Sequence, residues 1–301
     1  MGSWDRLTRI ILIFCILVLS FGFVACGNTP VATPSTEIEA ASTVVPPVVN
    51  TAVNTVVHEY YHDYEYEATQ DIYDIPCIDD DEIYYAEAKC EEEDIDKPRR
   101  PMLALTFDDG PSRYTEGILD ALEEHGGRAT FFVLGYRVEN WADTVQRTVD
   151  VGSEVAGHSW DHANFFNLSN DAMRRQLYNT SAAIQAATGE PPPPFVRIPY
   201  GSVNARIRTV TRELGYSMVN WSIDPADWRI RDADIIYNHI MTHAVDGGIV
   251  LLHDIRPSTM EAVQRAVPSL IEKGFDLVTV SELLAYFFEE LSPGGVYMGM
   301  R

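Results

Sequence analysis

Strand-like and helix-like patterns alternate strictly along residues 102–289, and this alternation limits the available folds more than any other feature of the chain. Short apolar runs are each followed by an amphipathic helical pattern, seven times in succession. Strands that alternate with helices in this way form a parallel sheet covered by helices. The sequence therefore predicts an α/β fold of about seven parallel strands, either open or closed into a (β/α) barrel.

The boundaries of these elements can be set from the same patterns. The predicted strands are Met102–Phe107, Ala129–Leu134, Glu154–Gly157, Phe195–Ile198, Ser217–Trp221, Ile249–Leu252 and Leu277–Val280. The predicted helices are Tyr114–His125, Trp141–Val151, Asp171–Ala187, Ser202–Leu214, Asp232–Ala244, Met260–Lys273 and Ser281–Glu289. We expect Ser169 or Asn170 to cap the third helix and Gly189 to end it.

The amino terminus has the composition of a targeting segment. Arg6 and Arg9 precede a run without charged residues, Ile10–Ala25, which predicts a signal peptide over residues 1–25. A small residue directly before Cys26 resembles the lipobox of bacterial lipoproteins, in which that cysteine is lipidated. The alternatives are an uncleaved signal anchor or a secreted protein. All three possibilities place the rest of the chain outside the cytoplasm. The lipoprotein and the signal anchor would also be attached to a membrane.

Residues 27–97 have the composition of a linker. A Thr/Pro-rich part is followed by a Tyr/acid-rich part, and we expect most of this segment to be disordered. Cys77 and Cys90 are candidates for a disulfide, because thiols outside the cytoplasm tend to pair. The disulfide would close a loop around the acidic run 79–82, for which Ca²⁺ binding is a separate hypothesis, although the run lacks the spacing of an EF-hand.

Length and charge exclude one class of function. The 301 residues, 46% of them hydrophobic, suffice for one sizeable core with additional segments. A net charge of −23 argues against sequence-independent binding to nucleic acid, which requires lysine and arginine to neutralise phosphates. We therefore expect no nucleic-acid partner.

Acidic and imidazole side chains follow the first and third predicted strands. Asp108 and Asp109 end the first strand, directly before a Gly-Pro turn. His158 and His162 follow the third strand, and an i, i+4 pair on one helical turn can bind a metal ion through neutral nitrogens. With one carboxylate these histidines would form a facial ligand set that leaves positions open for water and substrate. Solvated aspartates and structural histidines are the alternative.

Three further segments with candidate site residues lie at or directly after the ends of later strands. Arg197 could orient one of the carboxylates, and the turn at Tyr200 could direct a backbone N–H at an oxyanion. Asp227 could pair with Arg197, while Trp228 could wall an apolar pocket or stack on a sugar ring. His253 ends a buried strand, where a histidine can act as a general acid or base. A salt bridge, a turn and core packing are the alternatives.

Together these segments resemble the five motifs of the polysaccharide deacetylase family, the NodB-homology domains of carbohydrate esterase family 4. The resemblance covers about residues 100–285, and we place the catalytic domain at residues 98–290 and a C-terminal tail at 291–301. In order, the motifs are Thr106-Phe107-Asp108-Asp109-Gly110-Pro111, His158-Ser159-x-x-His162, Arg197-x-Pro199-Tyr200-Gly201, Asp224-x-x-Asp227-Trp228 and Leu251-x-His253.

The resemblance implies a distorted (β/α) barrel and a role for each of these residues. Asp109, His158 and His162 would hold a divalent metal, commonly zinc, with cobalt, manganese or nickel as alternatives. Asp108 would be the general base, held by Arg197, which Asp227 would tune. His253 would protonate the departing amine. The backbone N–H of Tyr200 would stabilise the oxyanion, and Leu251 and Trp228 would line the pocket for the acetyl methyl group.

The function that follows is metal-dependent N-deacetylation of N-acetylglucosamine in a cell-wall glycan, with peptidoglycan as the leading substrate. We expect a monomer attached to the membrane by its lipid anchor. One alternative is an O-acetyl esterase on xylan or another acetylated glycan. Another is a non-catalytic carbohydrate-binding lipoprotein, although a binding protein has no need for a paired base and acid.

Overall fold

The computed structural model describes residues 83–84 and 99–299 of the chain. The predicted signal peptide, Cys26, the possible Cys77–Cys90 disulfide and the rest of the predicted linker lie outside the described residues. Within them, no helix combines the length and the apolar character needed to cross a membrane.

The described residues form nine strand segments. Their bounds are β1 Ile83–Tyr84, β2 Met102–Asp108, β3 Thr130–Val133, β4 Glu154–Gly157, β5 Phe195–Val196, β6 Ser217–Val219, β7 Gly248–His253, β8 Asp276–Leu277 and β9 Val296–Tyr297. Every pairing between them is parallel. Parallel pairing follows from the helical crossovers that separate successive strands.

Eight α-helices fall within the same residues. Their bounds are α1 Thr115–Glu124, α2 Gly135–Val138, α3 Ala142–Asp150, α4 Asn170–Thr188, α5 Ala205–Glu213, α6 Ala233–His243, α7 Pro257–Glu272 and α8 Val280–Phe287. Local chemistry fixes several ends. The Ser169 side chain accepts a hydrogen bond from the first turn of α4, and Gly189 ends that helix with φ 79°. Thr279 and Glu282 form a capping box on α8.

The sheet curls into a distorted barrel. The order of strands is β1-β9-β6-β5-β4-β3-β2-β7, and β8 also pairs with β2. The chain after β6 meets the other end of this order, since Ile223 forms a parallel bridge with Val250 of β7. Two backbone bonds support the bridge: Ile223 N–H donates to Ile249 at 3.0 Å, and Leu251 N–H donates to Ile223 at 2.9 Å. This closure places the carboxyl ends of the strands around one opening.

Two main hydrophobic layers lie on the two faces of the sheet. Leu103, Leu105 and Phe107 of β2 pack in the larger cluster with buried residues of α1 and α7. Residues of the opposite face pack with α8, and this second cluster includes Ala104 of β2 and Phe132 of β3. The alternation along β2 assigns its even-numbered residues to the barrel interior, so Thr106 and Asp108 face inward.

The predicted fold class is confirmed, and all seven predicted strands are present. Two strands lie in segments that were predicted to be tail and linker. Val296–Tyr297, within the predicted tail 291–301, is a strand between β6 and β1, and Ile83–Tyr84, within the predicted linker, pairs with it. Each strand has only two residues, which is too short for a detectable pattern. Helix α8 begins at Val280, which the prediction placed at the end of a strand.

Candidate active site

The carboxyl end of β2 delivers two adjacent aspartates in different backbone conformations. Asp108 is the last residue of the strand, and it pairs in register with His253, the last residue of β7. Asp109 has φ 73°, a left-handed conformation that turns the chain sharply out of the strand. Because of this turn, both carboxyl groups lie within 3.7 Å of His158 Nε2 at the mouth of the barrel, and we call the space beside them the cavity.

Asp109, His158 and His162 form the one cluster in the described part of the chain that could hold a metal ion. One potential ligand atom from each residue lies within 4.8 Å of the other two. Asp109 Oδ1 is 3.7 Å from His158 Nε2 and 3.4 Å from His162 Nε2. The same oxygen is buried and has no hydrogen-bond partner. Two imidazole nitrogens and an unpartnered carboxylate oxygen suit a first-row divalent cation.

The surroundings of His158 prepare it to act as a ligand. Its Nδ1 is 2.7 Å from the backbone carbonyl oxygen of Arg197, so Nδ1–H donates to that oxygen and Nε2 keeps its lone pair toward Asp109. Burial lowers the pKa of His158 to about 3, more than Asp109 raises it. The imidazole is therefore neutral at pH 7, as metal binding requires.

The two histidines do not meet on a helical turn, and this part of the prediction is wrong. Residues 158–162 form a bend in which Ser159 has φ 68° and His162 has φ 61°. The Ser159 hydroxyl accepts a hydrogen bond from His162 N–H at 3.1 Å and closes the bend. The ring centroids lie 5.1 Å apart. The two imidazoles therefore converge through left-handed backbone rather than helical periodicity.

Arg197 is fully buried beneath the cavity and holds Asp108. Its Nη1 donates to Asp108 Oδ1 at 2.7 Å and to Thr106 Oγ1 at 2.8 Å. Its Cζ lies 4.1 Å from the centroid of the Phe132 ring. Its remaining donors bond the backbone oxygens of Val219 and Asn220. Burial raises the pKa of Asp108, while Arg197 opposes that shift.

Asp227 contacts His253, and the prediction that it pairs with Arg197 is wrong. Asp227 Oδ1 is 2.8 Å from His253 Nδ1, and Oδ2 accepts a hydrogen bond from His253 N–H at 2.8 Å. The Thr259 hydroxyl donates to Oδ2 at 2.7 Å. Burial disfavours the charged imidazole, but Asp227 and then Asp108 raise the pKa of His253 to about 9. His253 is therefore an imidazolium at neutral pH.

Three other predicted residues lie around the same strand ends. Tyr200 has φ 63°, and its half-exposed ring lies edge-on to the His162 ring with centroids 4.7 Å apart. Leu251 is buried on β7 and pairs with Thr106, which puts its side chain on the inward face below His253. Trp228 directly follows Asp227 and is partly exposed.

Sequence reasoning missed Asp254, which fastens the turn that carries Asp109. The Asp254 carboxyl group is buried and accepts a hydrogen bond from the Thr115 hydroxyl. The backbone oxygen of Asp254 accepts one from the Ser112 hydroxyl. A Cβ atom on Gly110 would lie 2.2 Å from Asp254 Oδ2, so only glycine fits. The acid directly after the motif histidine was the available sequence signal, but its partners depend on the loop geometry.

Comparisons with known proteins match this chain to one family. The family model described as polysaccharide deacetylase matches residues 95–219. The structure of the peptidoglycan deacetylase PdaC from Bacillus subtilis is 37% identical, with a TM-score of 0.60, and the match covers 63% of this chain and 93% of that one. The chain belongs to the polysaccharide deacetylase family.

Other relatives carry different substrate names. The peptidoglycan-N-acetylglucosamine deacetylase PgdA of Listeria monocytogenes is 39% identical over 65% of this chain, which spans 41% of the length of PgdA. A family 4 acetyl xylan esterase from Clostridium thermocellum, solved with a cobalt ion, is 31% identical, with a TM-score of 0.61 over 66% of this chain and 98% of that one. Family membership alone therefore does not select an amide or an ester.

Proposed function

We propose that this protein is a metal-dependent N-deacetylase that hydrolyses the acetamido group of N-acetylglucosamine in a cell-wall glycan, with peptidoglycan as its substrate. The observation that carries the proposal is the register pair Asp108 and His253. It presents one carboxylate and one imidazolium to the same cavity, beside the cluster of Asp109, His158 and His162. Amide hydrolysis requires such a base and acid together, because the amine is a poor leaving group.

The residues present fit a divalent cation. Asp109, His158 and His162 would hold the ion, and zinc, cobalt, manganese and nickel are all compatible with the two nitrogens and one oxygen of this set. When bound, the ion would polarise the acetyl carbonyl group and acidify water.

Asp108 is the proposed general base. Its Oδ1 is fixed by Arg197, while Oδ2 points toward the candidate ligands, 3.6 Å from His158 Nε2. Oδ2 takes the proton of the water whose oxygen forms the new bond to the acetyl carbon. The backbone N–H of Tyr200 is the proposed donor to the carbonyl oxygen as it gains negative charge.

His253 is the proposed general acid. Asp227 fixes Nδ1, so Nε2–H is the proton available to the substrate. This proton passes to the sugar nitrogen as the C–N bond breaks, and the products are acetate and a free amine. Leu251 and Trp228 would line the pocket for the acetyl methyl group.

The location of the protein is part of the proposal. Lipidation of Cys26 would tether the chain outside the cytoplasm, and the roughly 70 residues that follow would let a monomeric domain reach the wall. The names of PgdA and PdaC, both peptidoglycan deacetylases, support this substrate.

The test is deacetylation by the purified protein of peptidoglycan, N-acetylchitooligosaccharides and acetylated xylan, with free acetate and free amine measured together. Equal release of acetate and amine from the amino sugars supports the proposal. Release of acetate from xylan alone would instead identify an O-acetyl esterase, the activity named for the Clostridium thermocellum relative.

A further inference from the structure

Three neighbouring segments at the mouth of the barrel, each following a strand, carry one arginine each. Arg137 follows β3, Arg113 follows β2 and Arg256 follows β7, and these strands are consecutive in the sheet. Arg137 Nη1 donates to the backbone oxygen of Pro111 at 3.4 Å, which places it against the turn that carries Asp109.

Backbone contacts hold these segments together. Leu134 N–H donates to the carbonyl oxygen of Gly110 at 3.0 Å and joins the β3 loop to the β2 loop. The Ser112 hydroxyl donates to the backbone oxygen of Asp254 and joins the β2 loop to the β7 loop. Arg113 is the residue after Ser112, and Arg256 is two residues after Asp254. The three arginines therefore lie on adjoining segments on one side of the opening, and we call them the rim arginines.

The rim arginines have no carboxylate partner, in contrast to seven other arginines of the described domain. Among residues 99–299, none of the three has an ion pair. The arginines that do have ion pairs there include Arg99, Arg100, Arg128, Arg147, Arg174, Arg197 and Arg265.

Two of the rim arginines also have donors that are both buried and unsatisfied. Arg137 Nε and Arg256 Nε are shielded from solvent and have no hydrogen-bond partner. A buried donor without an acceptor is less stable than a satisfied one. A glycan carboxylate would reach these donors once the guanidinium groups turn outward, and their lack of a partner in the structure favours that movement.

The negative charge of the chain makes the positive charges of the rim arginines important for binding an anionic substrate. The chain carries a net charge of −23, which repels an anionic polymer. A guanidinium group binds a carboxylate through two parallel hydrogen bonds, so unpaired arginines beside the catalytic opening suit a carboxylate-bearing substrate.

We propose that Arg137 and Arg256, assisted by Arg113, bind a carboxylate of the glycan next to the acetamido group being hydrolysed, and that they select acidic glycans over neutral ones. This inference rests on the proposed function and refines it. In peptidoglycan the carboxylate can come from two sources: the lactyl group of a sugar without peptide, or the peptide stem.

The test measures kcat and KM for wild type, Arg137→Gln, Arg256→Gln and the double variant. Three substrates are compared: neutral N-acetylchitotetraose, a stem-free glycan tetrasaccharide with free lactyl carboxylates, and the same tetrasaccharide bearing peptide stems. Arg175→Gln is the control, because Arg175 is an exposed arginine without an ion pair on α4. Thermal melting of every variant verifies that it is folded.

We expect each single substitution to raise KM for a carboxylate-bearing substrate roughly ten-fold more than KM for chitotetraose, because it removes hydrogen bonds to a charged group; a ten-fold change corresponds to about 1.4 kcal/mol. The control should change neither KM nor kcat. For wild type, added salt should raise KM for the acidic substrates only. The acidic substrate that no longer has a lower KM than chitotetraose in the double variant identifies the source of the carboxylate.

Equal KM values for neutral and acidic substrates in wild type, or equal effects of the substitutions on both, would overturn this inference and leave the proposed deacetylase function intact. Absence of acetate release from all three substrates would overturn the proposed function itself. A substitution that lowers kcat on every substrate without changing the ratio of KM values would also contradict carboxylate binding, since it would show a general structural role.

Discussion

Asp227 contacts His253 through both of its carboxylate oxygens, one at the ring Nδ1 and one at the backbone N–H, each at 2.8 Å. The two contacts fix both the tautomer and the position of the imidazole. Its Nε2–H is therefore directed into the cavity, where a leaving amine needs a proton.

The Asp227 contact predicts the alkaline limit of activity. Because the neighbouring carboxylates raise the pKa of His253 to about 9, the imidazolium survives below that pH and is lost above it. Asp227→Asn removes the strongest of these carboxylate effects, so the alkaline limb of the kcat profile should move to lower pH. The measurement is kcat from pH 6 to 10 for wild type and variant. An unmoved limb would show that another group supplies the proton.

Removal of His253 should separate amide from ester hydrolysis. An alkoxide leaves an ester without prior protonation, whereas an amine requires a proton. His253→Ala should therefore lower kcat on an N-acetylated oligosaccharide by about 100-fold or more, and much less on an O-acetylated substrate. Both rates are measured with the same enzyme preparation, and an equal loss on both substrates would contradict the role of general acid.

Metal content should depend on the three candidate ligands. Asp109→Ala, His158→Ala and His162→Ala should each lower bound divalent metal in the purified protein, because three protein ligands are the minimum for this type of site. Elemental analysis measures the bound ion directly. His243→Ala, which changes an exposed histidine at the end of α6, is the control and should retain the wild-type metal content.

Arg197 should contribute strongly to stability through its buried pair with Asp108. Arg197→Met leaves that carboxylate buried without its partner, and we expect the free energy of unfolding to fall by about 3–5 kcal/mol. The double variant Arg197→Met with Asp108→Leu should be less destabilised than the single one, because it removes both charges. Urea unfolding compares them, and a double variant that is less stable than the single one would refute the pairing argument.

Gly110 should tolerate alanine only when Asp254 is shortened. The added Cβ would lie 2.2 Å from the Asp254 carboxylate, and we expect overpacking to cost about 1–3 kcal/mol. In Gly110→Ala with Asp254→Ala that clash is removed, so the two effects should not add. Thermal or urea unfolding of the four proteins gives the coupling, and strict additivity would show that the carboxylate is not the obstacle.

Sequence patterns predicted the fold class because hydrophobic periodicity repeats over many residues. The strand Glu154–Gly157 matches its predicted bounds, and Ser169 is the cap of α4, since its hydroxyl and the helix start are adjacent in sequence. The two-residue strand Val296–Tyr297 could not be found in this way, because its place depends on neighbours that are distant in sequence.

The residues at the site could be listed from sequence, but several of their contacts could not. The spacing of His158 and His162 indicated a helical turn, and positive φ angles at Ser159 and His162 produce the same convergence by another route. Asp227 and Arg197 both follow sheet strands, so proximity suggested a pair. The register that places Asp227 against the end of β7 emerges only when the barrel closes.

One residue of β5's carboxyl end serves two separate components of the site. The guanidinium group of Arg197 donates a hydrogen bond to Asp108, and the backbone carbonyl oxygen of Arg197 accepts one from the ring of His158. A shift of this short segment would therefore misplace the proposed base and a proposed ligand simultaneously. Substitutions that displace this segment should abolish catalysis completely. Substitutions of the rim arginines should instead give enzymes that keep part of their activity.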